Sequence, residues 1–292
     1  MPKPTRQTQA LQFTAHAFSL AQSLGIRTAM VLADELGHAE EFKKQRTTER
    51  IIWLTHAHAE SLPKRPGDLV LSIPEANLAR MSQINIGLYA AILRGAIGLS
   101  EQVICMAGIA GSGSLDLLLV TKPNKDFPWL RQEDLDRTKN LVAPREFGRL
   151  LELALRFAAE GREGKPIGTM FVLGNFEQIQ GHLRQLILNP CKGHARKLRS
   201  IHNPDAVETL REFSALDGAI IVDQDGIVES AGTYIDASGK NVRLRKGLGA
   251  RHAAAAAITR ATDAISLVIS ESSGTVTLFD NGKPVLELER PR

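Results

Sequence analysis

An arginine and a histidine stand side by side at the start of an alanine-rich segment, and together they suit the binding of a polyanion. Arg251 and His252 follow Gly247 and Gly249 and precede a run of alanines, the residue that favours helices most, so both are expected in a first helical turn. Unpaired backbone N–H groups and the helix dipole favour an anion there, and a guanidinium adds a fork matched to phosphate. This order predicts a triphosphate ligand.

Two carboxylates are expected beside this polyanion site. A short apolar run follows the predicted helix and ends at Ser270, so it brings Glu271 to the end of a strand near the same loops. A carboxylate next to bound phosphates usually ligates a divalent metal. Asp217, followed by Gly218 and Ala219, stands at the entry of another predicted strand, where an aspartate alone commonly caps or turns the chain.

Helices and strands must alternate in the second half of the chain to position these side chains. An amphipathic helix is predicted over 145–160, and the apolar run 167–173 predicts a strand. A helix over 206–215 then leads to the aspartate. Alternating apolar residues around the Asp-Gly pair at 225–226 predict one hairpin, and the NGK segment at 281–283 predicts a second.

The first half of the chain, residues 1–125, is predicted to fold as a small α/β domain. Apolar runs of strand length alternate there with helical or polar segments, as in a parallel sheet covered by helices. A polar stretch with prolines follows, so we place a linker over 126–142 and a second domain over 143–292. The strands are predicted at 28–33, 50–55, 68–73, 103–108 and 115–120, and the helices at 9–24 and 78–98.

The composition is that of a globular protein with room for two domains. The chain has 292 residues, of which 43% are hydrophobic and 23% charged, and no run approaches the roughly 20 apolar residues that a membrane helix needs. The beginning of the sequence lacks the apolar core of a secretion signal, and there are only two cysteines. We therefore expect a cytoplasmic protein without a membrane partner or a structural disulfide.

The net charge of +4 is too small to predict a nucleic-acid coat, although one segment is strongly basic. Six lysines, arginines and histidines lie between Lys192 and His202, with no aromatic residue among them. A solvated surface explains such a run best, and a patch that binds nucleotide phosphates or nucleic acid is the alternative. No nucleic-acid partner is expected.

Two features of the first half allow a different interpretation. His56 and His58 follow a predicted strand, as in some metallohydrolases, but Glu60 and Ser61 interrupt the expected continuation and no later pair has ligand spacing. The glycine-rich segment 108–114 lacks the spacing of a dinucleotide-binding loop and precedes a strand rather than a helix. We interpret the first feature as a surface loop and the second as a flexible turn.

Several motifs, in a fixed order, resemble the catalytic domain of the diadenylate cyclases, which join two ATP molecules into cyclic di-AMP. The resemblance covers about residues 143 to 290, and the layout is similar to that of archaeal-type members, in which a pyruvate-kinase-like domain precedes the cyclase domain. It implies a mixed central sheet flanked by helices in the second domain. The motifs are LDGA (216–219), AGTYI (231–235), GLGARH (247–252) and SESSGTV (270–276), and PIGTMFVLGN (166–175) and NPCKGH (189–194) are also similar.

The resemblance implies a reaction and a role for each motif. The 3′-hydroxyl of each ATP attacks the α-phosphate of the other and expels pyrophosphate. Asp217 and Gly218 would lie on the side of the 3′-hydroxyl, and Asp217 would orient or deprotonate it directly or through a metal. Arg251 and His252 would hold the triphosphate.

The resemblance also implies a metal site and a base site. Glu271, with Ser270 beside it and Asp217 opposite, would ligate Mg²⁺ or Mn²⁺, and Tyr234 and Ile235 would form a flat apolar wall for adenine. The ATP-binding set is Gly218, Ala219, Tyr234, Ile235, Gly249, Ala250, Arg251, His252 and Ser270.

The sequence departs from the family pattern around the arginine. The pattern is commonly Arg-His-Arg after a hydroxyl residue, whereas this chain has Ala250 before Arg251 and Ala253 after His252. Arg243, Arg245 and Lys246 are nearby cations that could replace the missing phosphate contact.

An active cyclase working as face-to-face dimers is the leading hypothesis, and a degenerate fold that binds nucleotide without turnover is the alternative.

Overall fold

The computed structural model describes residues 6–36, 39–56, 62–74, 76–109, 111–126, 144–161, 167–237 and 248–291. The chain divides into two compact units, Met1–Pro128 and Trp129–Arg292. Apart from residue 126, the linker predicted over 126–142 lies outside the described residues.

The first unit is built on a five-stranded sheet. Its strands are β1 (Thr28–Leu32), β2 (Arg50–Thr55), β3 (Leu69–Ser72), β4 (Val103–Ala107) and β5 (Leu117–Thr121), in the order β3-β2-β1-β4-β5. Its helices are α1 (Arg6–Ser23), α2 (Ala39–Gln45), α3 (Arg80–Leu93) and α4 (Pro123–Asp126).

The parallel order predicted for this sheet holds for four strands and fails for the fifth. Strands β1 to β4 are mutually parallel, but β5 is antiparallel to β4. The connection between β4 and β5 is the short segment 108–116, and a parallel return needs a crossover of a dozen or more residues. The chain therefore has to turn back on itself.

The glycine-rich segment in this connection is fixed by a buried carboxylate. Glu35 accepts hydrogen bonds from the backbone N–H groups of Gly111 and Gly113, each over 2.6 Å, and from the Ser112 hydroxyl over 3.0 Å. A side chain on Gly108 would meet the Ser114 carbonyl oxygen at 2.1 Å. Glu35 thus anchors the segment and occupies the amides of Gly111 and Gly113.

The first unit contains a buried ion pair between Arg46, which follows α2, and Asp68, which precedes β3. Arg46 donates two hydrogen bonds to the Asp68 carboxylate, each over 2.7 Å, and both side chains are excluded from solvent. Backbone N–H groups of Ile51 and Arg65 also bind this carboxylate. Burial acts to raise the pKa of Asp68, but these hydrogen bonds outweigh it and hold the pKa below its usual value.

The second unit is built on a mixed seven-stranded sheet. Its strands are β6 (Thr169–Gly174), β7 (Leu183–Gln185), β8 (Ala219–Asp223), β9 (Val228–Ile235), β10 (Ile265–Ile269), β11 (Val276–Asp280) and β12 (Lys283–Leu288), in the order β12-β11-β10-β6-β8-β9-β7. Among the strands of the described residues, only β6 and β8 are parallel neighbours. Its helices are α5 (Pro144–Glu160), α6 (Phe176–Ile179), α7 (Pro204–Phe213) and α8 (Ala250–Ala261).

Helices α5 and α8 cover opposite faces of this sheet, as the predicted flanked sheet requires. Side chains alternate along a strand, so Phe171 of β6 points to one face and packs its ring 5.8 Å from that of Phe157 in α5. Its neighbours Met170 and Val172 point to the other face, where they join Ala256 of α8 in one buried cluster. Both faces are therefore apolar, and the mixed α/β fold is confirmed.

Two further observations concern membranes and cysteines. Within the part of the chain that the structure describes, we find no helix with the length and apolar character to cross a membrane.

Both cysteines are free: Cys105 is completely buried and Cys191 is partly buried. Burial raises the pKa of both thiols.

Candidate active site

A cleft of about 1150 Å³ opens at one edge of the second sheet. The parallel strands β6 and β8 both begin at this edge, and β10 and β9, which are antiparallel to them, both end there. The first turn of α8 closes one side. The cleft brings together all the site residues predicted from sequence, namely Asp217, Gly218, Ala219, Tyr234, Ile235, Gly249, Ala250, Arg251, His252, Ser270 and Glu271.

Arg251 lies in the first turn of α8, as predicted, and joins the two carboxylates of the cleft. Its Nη1 donates to Glu271 Oε2 over 3.2 Å, and its Nη2 donates to Asp217 Oδ1 over 3.4 Å. The Asp217 side chain is 93% exposed and that of Glu271 is 73% exposed. Such accessible, loosely held carboxylates remain available to a ligand.

The carboxylate pair fits a divalent cation in its chemistry. Asp217 and Glu271 both contact the Arg251 guanidinium, so their carboxylates border the same part of the cleft. Mg²⁺ is usually held by one or two carboxylates, with substrate phosphates and water completing the octahedron. Among the described residues no group of three or more histidine, cysteine or acidic side chains could hold a metal by itself.

Gly168 is a residue of this site that the sequence interpretation did not single out. A Cβ atom on it would lie 2.7 Å from Glu271 Cβ and 2.8 Å from Arg251 Nη1, closer than real side chains approach. The absent side chain lets the arginine and the glutamate meet over the start of β6. Gly168 belongs to the family-like motif PIGTMFVLGN, and this membership was the feature of the sequence that could have identified it.

Gly218 has a similar steric role beside Asp217. Its φ of +105° lies in the left-handed region, and a Cβ atom there would meet the backbone nitrogen of Thr233 at 2.6 Å. The obstructing atoms belong to the main chain, so they cannot move away as a flexible side chain could. Glycine is therefore required where the Asp217 turn packs against β9.

His252 is more enclosed than its neighbour in the helix. The residue is 8% exposed, and its ring makes an edge contact with Phe279, with 6.0 Å between the ring centres. Burial lowers the pKa of His252, and the nearby Glu287 carboxylate only partly opposes this effect. The imidazole is therefore neutral at pH 7, and it can offer a hydrogen bond rather than a charge.

Apolar residues also line the cleft, and we call Leu186, Tyr234 and Ile235 its apolar end. Tyr234 and Ile235 are the residues predicted to form the wall for a base. Ile235 is buried in the core, whereas the Tyr234 ring is 46% exposed. Leu186, which follows β7, also lines this end and is partly exposed. The sequence interpretation missed Leu186 because nothing local distinguishes it from a core residue. The other lining residues not predicted are Met170, Thr233, Leu248, Ala254, Val268, Ile269, Ser272, Ser273, Thr275, Thr277 and Glu287.

Other predicted features are not among the residues that line this cleft, or they fall outside the described residues. In the first unit, His56 Nδ1 lies 2.7 Å from Asp34 Oδ2, while His58 is outside the described residues. The basic segment is partly neutralised, since Arg196 pairs with Asp225 over 3.0 Å. Glu60, Ser61, Gly247 and the cations Arg243, Arg245 and Lys246 also lie outside the described residues.

Comparisons with known proteins found a matching family model and similar proteins. The family model described as "DisA bacterial checkpoint controller nucleotide-binding" matches residues 156–284. A diadenylate cyclase of Methanocaldococcus jannaschii is 37% identical over 177 residues, which are 61% of this chain and 56% of that protein. A diadenylate cyclase of Haloferax volcanii is 32% identical over 209 residues, which are 71% of this chain and 75% of that protein.

Structural similarity adds little to these matches. The crystal structure of the hypothetical membrane spanning protein from Bacillus cereus has a TM-score of 0.39 and 21% identity, covering 54% of this chain and 68% of that chain. A TM-score and an identity of this size assign neither a function nor a superfamily to this chain. The match to the Haloferax protein, which spans three quarters of its length, is the finding that decides the family. The chain belongs to the diadenylate cyclase family.

Proposed function

We propose that this protein is a nucleotidyltransferase that condenses two ATP molecules into cyclic di-AMP and two pyrophosphates. The observation that carries the proposal is the junction of Asp217, Arg251 and Glu271 in one cleft that has an apolar end. The acidic groups suit metal-bound phosphates, and the apolar end suits a base. A protein that only binds nucleotide has no need of both acids.

The proposed reaction begins at the ribose 3′-hydroxyl. Asp217 orients this hydroxyl or accepts its proton, and its high exposure supports direct contact with a substrate. The hydroxyl oxygen attacks the α-phosphorus of the other ATP, and the bond from that phosphorus to the pyrophosphate oxygen breaks. Positioning the two groups in line supplies much of the rate acceleration in such transfers.

Arg251 and His252 are proposed to hold the triphosphate at the start of α8. The guanidinium would exchange its two carboxylate partners for phosphate oxygens, which match its planar fork. The neutral imidazole would add a hydrogen bond, and the backbone at Gly249 and Ala250 lies beside the positive end of the helix dipole.

Asp217 and Glu271, with Ser270 beside the latter, are proposed to hold Mg²⁺ or Mn²⁺. When bound, this cation offsets charge on the α-phosphate and the leaving pyrophosphate. Tyr234 and Ile235 are proposed to receive the adenine.

The proposed assembly is a homo-oligomer that contains face-to-face pairs of clefts. One chain provides one set of motifs, whereas the product has two equivalent linkages. Two clefts related by a two-fold axis provide one set of motifs for each linkage.

The first unit is proposed to be a regulatory or oligomerising domain of the pyruvate-kinase-C-terminal-like type. We propose a cytoplasmic location.

Product analysis tests the proposed reaction. Purified full-length protein incubated with ATP and Mn²⁺ should form cyclic di-AMP and pyrophosphate, separated by chromatography. Asp217→Asn keeps the shape of the side chain but removes its charge, and losing a preorganised electrostatic group typically costs ~10² to 10³ in rate. Formation of ADP and phosphate alone would contradict the reaction, and unchanged turnover of Asp217→Asn would remove this residue from it.

A further inference from the structure

A cation covers the exposed tyrosine at the apolar end of the cleft. Arg184 of β7 and Tyr234 of β9 are direct partners in the antiparallel ladder, so their side chains rise from the same face of the sheet. The guanidinium carbon lies 5.1 Å from the centre of the Tyr234 ring. This separation is within the range of a cation–π contact.

The strand that carries Arg184 is held on both sides of this contact. Backbone hydrogen bonds join Leu186 N–H to the Gly232 carbonyl over 3.0 Å and Asp236 N–H to the His182 carbonyl over 2.7 Å. Between them, the Gln185 side-chain amide donates to the Thr233 hydroxyl over 3.0 Å. A short edge strand is thus fixed against β9, and its backbone keeps Arg184 opposite Tyr234.

Tyr234 borders the cleft, whereas Arg184 is not among the residues that line it. The cation–π contact therefore involves a residue outside the cleft lining. A tyrosine that is 46% exposed has room to rotate in the absence of such a contact. With the guanidinium stacked on it, the ring has fewer orientations to adopt.

We propose that Arg184 is a positioning residue that holds the Tyr234 ring for stacking against the adenine of ATP. The inference rests on the proposed function, because it takes the base to lie at the apolar end of the cleft. Arg184 acts through the tyrosine on nucleotide affinity, and it takes no part in proton transfer or in phosphate binding. Its loss should raise KM and leave kcat nearly unchanged.

A binding experiment with 3′-deoxyATP separates affinity from turnover, since this analogue lacks the attacking hydroxyl. Calorimetry with the full-length protein and Mn²⁺ should show Arg184→Leu binding about two- to five-fold more weakly than the wild type, as expected for a cation–π contact at an exposed site. Arg184→Lys keeps the charge but loses the flat surface, so its affinity should lie between the two. Arg156→Leu removes a charge in α5, away from the cleft, and should bind like the wild type.

A double-mutant cycle with Tyr234→Leu distinguishes positioning from simple attraction between Arg184 and the nucleotide. If the arginine acts through the ring, Arg184→Leu should have no further effect once Tyr234 is replaced. An equal loss of affinity in both backgrounds would overturn the inference. Thermal unfolding checks that each variant is folded, and Arg184→Gln takes the place of Arg184→Leu if the latter is not.

The cycle also separates this inference from the proposed function. If Tyr234→Leu weakens 3′-deoxyATP binding but Arg184→Leu does not, the role of Arg184 is wrong and the base site stands. If Tyr234→Leu leaves the affinity unchanged, the base does not lie against the tyrosine, and the base site and the role of Arg184 are both wrong. Cyclic di-AMP formation by the wild type decides the proposed reaction separately.

Discussion

Arg251 donates a hydrogen bond to Glu271 over 3.2 Å, and this contact links the first turn of α8 to the end of β10. With Asp217 on its other nitrogen, the guanidinium holds a positive charge at the place where two carboxylates could share a divalent cation. In the absence of nucleotide, the arginine and the cation should therefore compete for the two acids.

Removing this arginine should tighten metal binding while it abolishes most catalysis. Two unit charges 4 Å apart interact by about 1 kcal/mol in bulk water, which corresponds to about five-fold in affinity. Electron paramagnetic resonance of Mn²⁺ in nucleotide-free Arg251→Gln should show tighter binding of about this size. Arg260→Gln, at the other end of α8, is the matched control. Weaker Mn²⁺ binding in Arg251→Gln would contradict the competition.

Replacing Gly168 by alanine should slow the reaction without unfolding the protein. The new Cβ atom would displace the Glu271 and Arg251 side chains, and a displacement of about 1 Å near the reacting groups can cost roughly 10² in rate. Initial rates of cyclic di-AMP formation measure the effect. Gly148→Ala is the control: it lies within α5 with open space around it, so it should keep full activity and gain about 0.5 to 1 kcal/mol in stability. Equal rates for both variants would exclude a role for Gly168.

His252 should make the second unit less stable in weak acid. Burial lowers its pKa in the folded state, so the unfolded chain binds the proton more readily. The stability contributed by the neutral imidazole is complete above pH 6.5 and is lost as the pH falls through the folded-state pKa. Urea unfolding at pH 7.5 and 5.5 should show a smaller loss for His252→Gln than for the wild type. A parallel loss in both proteins would assign the effect to other groups.

The ion pair between Arg46 and Asp68 should dominate the acid sensitivity of the first unit. Asp68→Asn leaves a buried arginine without its countercharge, which typically costs about 3 to 5 kcal/mol. Because the pKa of Asp68 is lowered, its contribution is present above the unfolded-state pKa and is lost as the pH falls through the folded-state value. Denaturant unfolding measures the cost. Glu49→Gln breaks the exposed pair with Arg27 and should lower the free energy of unfolding far less than Asp68→Asn does.

Specific activity should fall on dilution if two clefts must face each other. The measurement is cyclic di-AMP formation over a range of protein concentrations, with light scattering at the same concentrations. Constant specific activity in a sample that scatters light as a monomer would contradict the face-to-face assembly.

The local elements of this fold could be predicted because their signals are local. The apolar runs that became β2 and β10 lie within a residue of the predicted bounds, and the Asp-Gly pair at 225–226 does form the turn of a hairpin. The position of Arg251 in a first helical turn followed from the adjacent glycines and alanines. Propensity and turn chemistry act over a few residues, so the sequence reveals them.

Contacts between distant segments could not be predicted in this way. Nothing local showed that the Glu35 carboxylate fixes the glycine-rich segment after β4, or that β5 returns antiparallel. The approach of Gly168 to Arg251 joins residues on different elements, and the burial of His252 depends on Phe279 from a later strand. These relationships are set by tertiary packing, which overrides and extends local preference.

The different burial of the two cysteines allows one of them to be labelled selectively, so that the pairing of two chains can be tested. Cys105 is sealed in the first sheet, so a thiol reagent applied to the native protein should modify Cys191, which lies in the loop after β7. The Asn189 side chain hydrogen-bonds to the Cys191 backbone N–H, and its amide binds the Glu229 carbonyl, so the labelled loop is tied to β9. If two chains pair, a spin label on Cys191 of each chain allows the distance between the two labels to be measured.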